Sequence, residues 1–185
     1  MPASWSRSYT LGIKQKAFSW RIDRRGNLFI KRKLRRPRFP RIDKISCSHL
    51  ERLCMFMQDM EWKDLANDAS KLYMGTEKDG IGKFLYRLRP EVPYAQLASH
   101  LGAIFYHSEV WKWNGQKRGM KFLLLSENWQ EKIMQYYTIS LSLENEGISL
   151  DMFSEYLKIE TQKQEEQDET PQNIEQTKLS AFFDY

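Results

Sequence analysis

Cysteine and histidine are scarce in this sequence: Cys47 and Cys54 are its only thiols, and His49, His100 and His107 its only imidazoles, in 185 residues. The two cysteines are seven apart and lack C-x-x-C spacing, and only His49 is nearby, so neither a disulfide framework nor a zinc site is indicated. They read as small apolar residues of a reducing compartment. The histidines are scattered, with no nucleophile or metal-ligand spacing around them. No run of eighteen apolar residues occurs, so no membrane span is expected. The first ten residues, MPASWSRSYT, lack an apolar h-region, so a secretory leader is not expected.

Catalytic signatures are equally thin. Gly80-Ile-Gly82-Lys83 has neither the spacing nor the Ser/Thr of a phosphate loop. Glu61, Asp64 and Asp68, at i, i+3 and i+7, would share one face of a helix with the spacing to hold a divalent cation, and a solvated helix face explains them as well. Glu61-Trp62-Lys63 matches the E-x-K fragment of one nuclease family, but that chemistry needs a strand and this stretch reads as helix. No catalytic residue, metal or cofactor is assigned.

What the chain does have is charge, unevenly spread. Residues 1–46 hold fourteen Lys/Arg against two Asp, a net of +12, while residues 160–185 hold two Lys against seven acids, a net of −5. The intervening residues sum to −2, so the overall +5 conceals a basic head and an acidic tail. A head of that kind suits a polyanionic partner. With 41% hydrophobic and 14% aromatic residues, the chain can still build a core.

The order of elements follows from periodicity. KAFSWRI alternates Phe18, Trp20 and Ile22 against Lys16, Ser19 and Arg21; DRRGN is a turn signal; LFIKRKL follows. Together they read as a β-hairpin with one apolar and one basic face. RRPRFPRID, with two prolines, reads as an extended loop. Ser48-His49-Leu50-Glu51 is a capping box that opens a helix at Ser48, with Leu50, Leu53, Cys54, Met57 and Met60 as its apolar stripe, continuing with or without a break to Gly75. IGKFLYRLR is an apolar–basic segment of undetermined type. PYAQLASHLG reads as a short helix stopped by Gly102, and Val110–Trp113 with Met120–Leu125 as a second hairpin whose loop holds Lys117 and Arg118. A helix capped by Ser126 is expected over roughly 127–143, and a shorter one after Ser149, near residue 159. Beyond Glu160 the chain is almost wholly polar, which predicts disorder. The expected class is α+β: a basic domain over 1–159, an acidic linker over 160–175 and a terminal peptide over 176–185.

Two resemblances attach to these patterns. A short helix followed by a basic-tipped hairpin resembles the second half of a winged-helix domain, although no recognition helix can be placed between Gly102 and Val110. The terminal octapeptide QTKLSAFF, Gln176 to Phe183, fits Q-x-x-[ILM]-x-x-[FY]-[FY] at every specified position. It resembles the PCNA-interacting peptide by which proteins dock on the DNA sliding clamp of archaea and eukaryotes. That resemblance implies one turn of 3₁₀ helix presenting Leu179, Phe182 and Phe183 as a plug for an apolar pocket, with Gln176 hydrogen-bonded beside it. It also implies a cytoplasmic or nuclear, not secreted, protein. A tail folded back on the core, another groove and a bacterial clamp remain alternatives. A clamp encircles DNA, so the head cations Arg21, Lys31, Lys33, Arg35, Arg36, Arg38 and Arg41, with Lys117 and Arg118 of the second hairpin, become candidate phosphate contacts. Trp20, Phe29 and Phe39 lie among them as candidates to stack on unpaired bases, or as core. The expected function is a DNA replication or repair accessory factor. The alternatives are a clamp-recruited metal-dependent nuclease and a regulator that occupies the clamp without touching DNA.

Overall fold

In the computed structural model, which describes residues 4–33 and 39–147, the basic head is a four-stranded antiparallel meander. Its strands are Ser6–Tyr9 (β1), Ala17–Ile22 (β2), Leu28–Arg32 (β3) and Arg41–Ile45 (β4). The expected hairpin is its centre, with Trp20 opposite Ile30 and Arg21 opposite Phe29. Its turn is built by Asp23, whose carboxylate accepts from the Arg25 and Asn27 amides, each at 2.9 Å, while Gly26 takes φ +75°, where a side chain would strain the backbone. The RRPRFPRID stretch is not loop throughout: Arg41–Ile45 pairs with β3 as the fourth strand. Residues 34–38 lie outside the described residues.

Strand alternation sends Phe18, Trp20, Ile22, Leu28, Ile30 and Ile45 to one face, where all are buried. Each such side chain contributes about 1.5–3 kcal/mol when fully removed from water. Arg32 shares that inward parity. It is buried, donates through Nε to Asp43 Oδ2 at 3.0 Å and through Nη2 to the Pro93 carbonyl at 2.6 Å, and so ties the sheet to the helical half. Burial lowers the pKa of this guanidinium and the Asp43 carboxylate opposes that shift.

The remainder is largely helical: Cys47–Met57 (α1), Ala69–Met74 (α2), Ile81–Leu88 (α3), Val92–Ala95 (α4), Ala98–His107 (α5) and Trp129–Asn145 (α6). Lys63–Asp64 (β5), Trp111–Trp113 (β6) and Lys121–Leu124 (β7) form a second sheet in the order β5-β7-β6. The class is α+β. Several expectations are corrected here. The cap of α1 is Ser46, not Ser48: Ser46 Oγ accepts from the His49 amide at 3.3 Å, and the helix has begun by Cys47. The chain is not helical from there to Gly75. It leaves α1 at Gln58, passes through Met60 at positive φ, forms β5, passes through Ala66 at positive φ, and restarts as α2, capped by Asp68 and ended by Gly75. Gly102 does not stop a helix but sits inside α5, where an added Cβ would come within 2.6 Å of Phe122 Cζ. The segment of undetermined type is α3.

The hairpin of β6 and β7 is as expected, with Trp113 opposite Phe122, and α6 covers the stretch expected after Ser126. One cluster joins the inner face of the first sheet to the helices, where Trp20 stacks on Tyr136 at 5.5 Å and Phe18 meets His100 edge-on at 4.8 Å. Two compact units divide the chain, Met1–Ser142 and Leu143–Tyr185. Of the second only Leu143–Gly147, the end of α6 and the turn beyond it, is described. The expected helix near 149–159, the acidic linker and the terminal peptide lie outside the described residues. Among the described residues no helix is long and apolar enough to cross a membrane.

Candidate nucleic-acid interface

The same alternation that buries one face of the four-stranded sheet sends the other outward. That face carries Arg7 and Tyr9 from β1, Ala17, Ser19 and Arg21 from β2, Phe29 and Lys31 from β3, and Ile42 and Lys44 from β4. Every charged residue in this set is a cation. The one carboxylate within the four strands, Asp43, points inward and is 4% exposed. Trp5, just before β1, joins the same face, and the Tyr137 hydroxyl holds the chain there by donating to the Ser4 carbonyl at 2.6 Å.

Across this face cations and rings alternate. Lys31 Nζ lies 5.7 Å from the Trp5 ring centre, and Arg21 Cζ lies 5.3 Å from the same ring. Arg21 also sits over Phe29 at 3.9 Å, and Lys44 Nζ is 5.9 Å from Phe29 on the far side. The resulting row, Lys31–Trp5–Arg21–Phe29–Lys44, runs over three strands and the segment leading into β1. Each cation–ring contact at an exposed site contributes about 0.5–1 kcal/mol. The arrangement therefore holds long side chains in place beside flat apolar surfaces. Arg21 Nε is buried and has no hydrogen-bond partner among the described residues. Chemically, the face offers ammonium and guanidinium groups to phosphates, and ring or guanidinium planes to unstacked bases.

The sequence-expected residues divide. Arg21 and Lys31 lie in the row. Lys33, one residue beyond β3, is exposed at the end of the same strand. Lys117 and Arg118 are exposed on the β6–β7 loop. Arg41 turns inward: its Nε donates to Asp43 Oδ1 at 2.7 Å, its Nη2 is 3.8 Å from Glu91 Oε2, and its side chain is 34% exposed, so its charge is engaged within the fold. Arg35, Arg36 and Arg38, like Gln176, Leu179, Phe182 and Phe183, lie outside the described residues. Of the stacking candidates, Phe29 is in the row, Phe39 is 78% exposed off the strands, and Trp20 is wholly buried as core. Trp5, Arg7 and Lys44 were not anticipated. The signal for them was the parity of Arg21 and Lys31, carried over onto two strands the sequence reading had not placed.

The helix-then-hairpin order is present, with α5 preceding β6 and β7. However, seven of the ten residues of α5 are buried, so it has no face to lay in a DNA groove, and no other helix lies between Gly102 and Val110. The carboxylates expected on one helix face are dispersed: Glu61 is in the loop, Asp64 in β5, and Asp68 caps α2. Among the described residues no group of three metal-ligating side chains exists. Lys63 of the E-x-K fragment does lie on a strand, contrary to the helical reading, and its ammonium is paired with Asp59 and near Glu61. Cys54 is buried, its thiol pushed up to about 12 by burial, while Cys47 is partly exposed, with Sγ 3.0 Å from Gln130 Nε2.

No family model, curated protein or solved structure matches this chain. The class that fold and surface define is an α+β protein with a cation- and ring-studded antiparallel sheet face.

Proposed function

We propose that this protein is a DNA replication or repair accessory factor that holds DNA on the outer face of its N-terminal sheet. Its tail docks on a PCNA-type sliding clamp through Gln176, Leu179, Phe182 and Phe183. The observation that carries the DNA reading is the carboxylate-free row of alternating cations and rings centred on Arg21. Rings that accompany cations on an open sheet favour single-stranded nucleic acid, whose bases are free to stack, over duplex, which offers side chains mainly its phosphates. The clamp reading rests on the eight-residue match QTKLSAFF and on the polar stretch before it, which gives an anchor reach.

Two measurements test the two halves separately. Fluorescence anisotropy with single-stranded and duplex DNA of one sequence should show tighter binding to the single strand; equal or absent binding to both refutes the sheet-face reading. Calorimetry of a 171–185 peptide against a PCNA should show saturable binding that is lost on F182A/F183A. Truncation after residue 175 should abolish clamp association and leave the melting temperature unchanged. A truncated protein that still binds clamp refutes the tail assignment.

A further inference from the structure

At the end of the sheet where β3 finishes and β1 turns into β2, a cleft of about 360 Å³ opens. Its fifteen lining residues include five Lys or Arg, namely Lys14, Lys16, Arg32, Lys33 and Lys117, and no Asp or Glu. These cations come from three separate segments: the β1–β2 loop, the end of β3 and the β6–β7 loop. The fold has therefore gathered like charges that the sequence keeps apart. Arg32 has Asp43 as counter-charge. Among the described residues none of the four lysines has an ion-pair partner. Four ammonium groups around one concavity repel one another unless an anion enters, and a cleft of one sign focuses the field that draws it in. Thr10, Asn67, Gln96 and Ser99 supply neutral hydrogen-bonding groups in the same walls.

We infer that this cleft is a phosphomonoester site. A monoester carries about two negative charges near neutral pH, whereas an internal phosphodiester carries one. A cluster of four uncompensated lysines selects the former. The volume lies at the low end of the range for ligand pockets, about 300–1,000 Å³, which fits a phosphate with at most one nucleoside and not a duplex. Lys33 and Ala17, in the cleft wall, continue the rows of Lys31 and Ser19 on the outer face. A strand lying on that face therefore ends in the cleft, and its terminal phosphate is the ligand. This assignment rests on the DNA-binding reading for its polymer, but the chemistry of the cleft would serve a free mononucleotide equally.

The test uses the full-length protein and three forms of one short single-stranded oligonucleotide: 5′-phosphorylated, 3′-phosphorylated and hydroxyl-ended. Nucleoside monophosphate and inorganic phosphate serve as competitors. Relative to a hydroxyl end, a terminal phosphate adds about two negative charges beside these ammonium groups; at about fivefold in affinity per charge in a nearly aqueous dielectric, one phosphorylated form should bind about 25-fold more tightly than the hydroxyl form. K14Q/K16Q, confined to the exposed β1–β2 loop, should erase that preference and leave hydroxyl-ended binding unchanged. Nucleoside monophosphate should also erase it without displacing the oligonucleotide. If all three forms bind equally, the cleft assignment is overturned and the sheet-face reading stands. If no oligonucleotide binds but nucleoside monophosphate does, and K14Q/K16Q removes it, the cleft assignment stands and the DNA reading falls. If neither binds, both fall.

Discussion

Replacing Arg21, Lys31 and Lys44 together by glutamine separates charge from stacking on the sheet face. All three side chains project from the outer face, and none is part of the hydrophobic core, so the fold should persist. Each phosphate contact on a single strand adds about 0.7 to the slope of log affinity against log salt. Loss of three contacts therefore flattens the slope by about 2, and over a fourfold rise in salt the affinity lost should be about 16-fold smaller than in the parent. Phe29→Ala should act in the opposite manner. It removes a ring worth about 1–3 kcal/mol per stacked base while leaving the number of phosphate contacts, and so the slope, unchanged. Anisotropy titrations at several potassium chloride concentrations, with a thermal melt of each variant, supply both readouts. A triple variant that binds more weakly with an unaltered slope, or a Phe29→Ala variant that changes only the slope, refutes the division of labour drawn for this face.

Three further outcomes are expected of the fold. Burial, chiefly, with the nearby Arg32 charge, holds His100 down to about 4 from an ordinary 6.5, so the folded state binds its proton less readily than the unfolded chain. Stability contributed by the neutral imidazole is complete above pH 6.5 and is lost as pH falls toward 4; the loss is about 3 kcal/mol, and urea titrations across that window should find it reduced in H100Q. Gly102→Ala should destabilise by about 1–3 kcal/mol because the new methyl meets the Phe122 ring, although helix propensity alone would favour alanine by about 1 kcal/mol. A raised melting temperature for G102A would contradict that packing. Ser46→Ala should cost about 1 kcal/mol of stability while Ser48→Ala costs at most a few tenths, and the reverse order in chemical denaturation would restore the capping box at Ser48.

The hairpins were legible because alternation and turn chemistry agreed: Phe18, Trp20 and Ile22 point inward as their spacing requires, and Asp23 and Gly26 close the turn. Arg32 was hidden by its own charge. Its parity matches Leu28 and Ile30, but nothing local announces the buried carboxylate of Asp43, eleven residues on, that makes an inward arginine tolerable. The break after α1 was illegible for a related reason. The reversals at Met60 and Ala66 occur without the glycine that ordinarily announces a positive φ, so nothing in the local sequence marks them. Gly102 was read through its commonest role, a helix stop, whereas its reason is the approach of the Phe122 ring. On the candidate site, the basic face of β2 and β3 was visible in the sequence. Its extension to Trp5, Arg7 and Lys44 needed strands that only pairing reveals.

The enclosure of α5 bears on selectivity. Recognition of a particular base sequence ordinarily depends on side chains that can exchange hydrogen bonds with base edges along a groove, and a helix is the usual carrier. Here the helix before the hairpin is interior scaffolding. If the sheet face holds DNA as proposed, through ring planes and ammonium groups, it would accept almost any order of bases, and its placement would have to come from a second contact such as the proposed clamp docking.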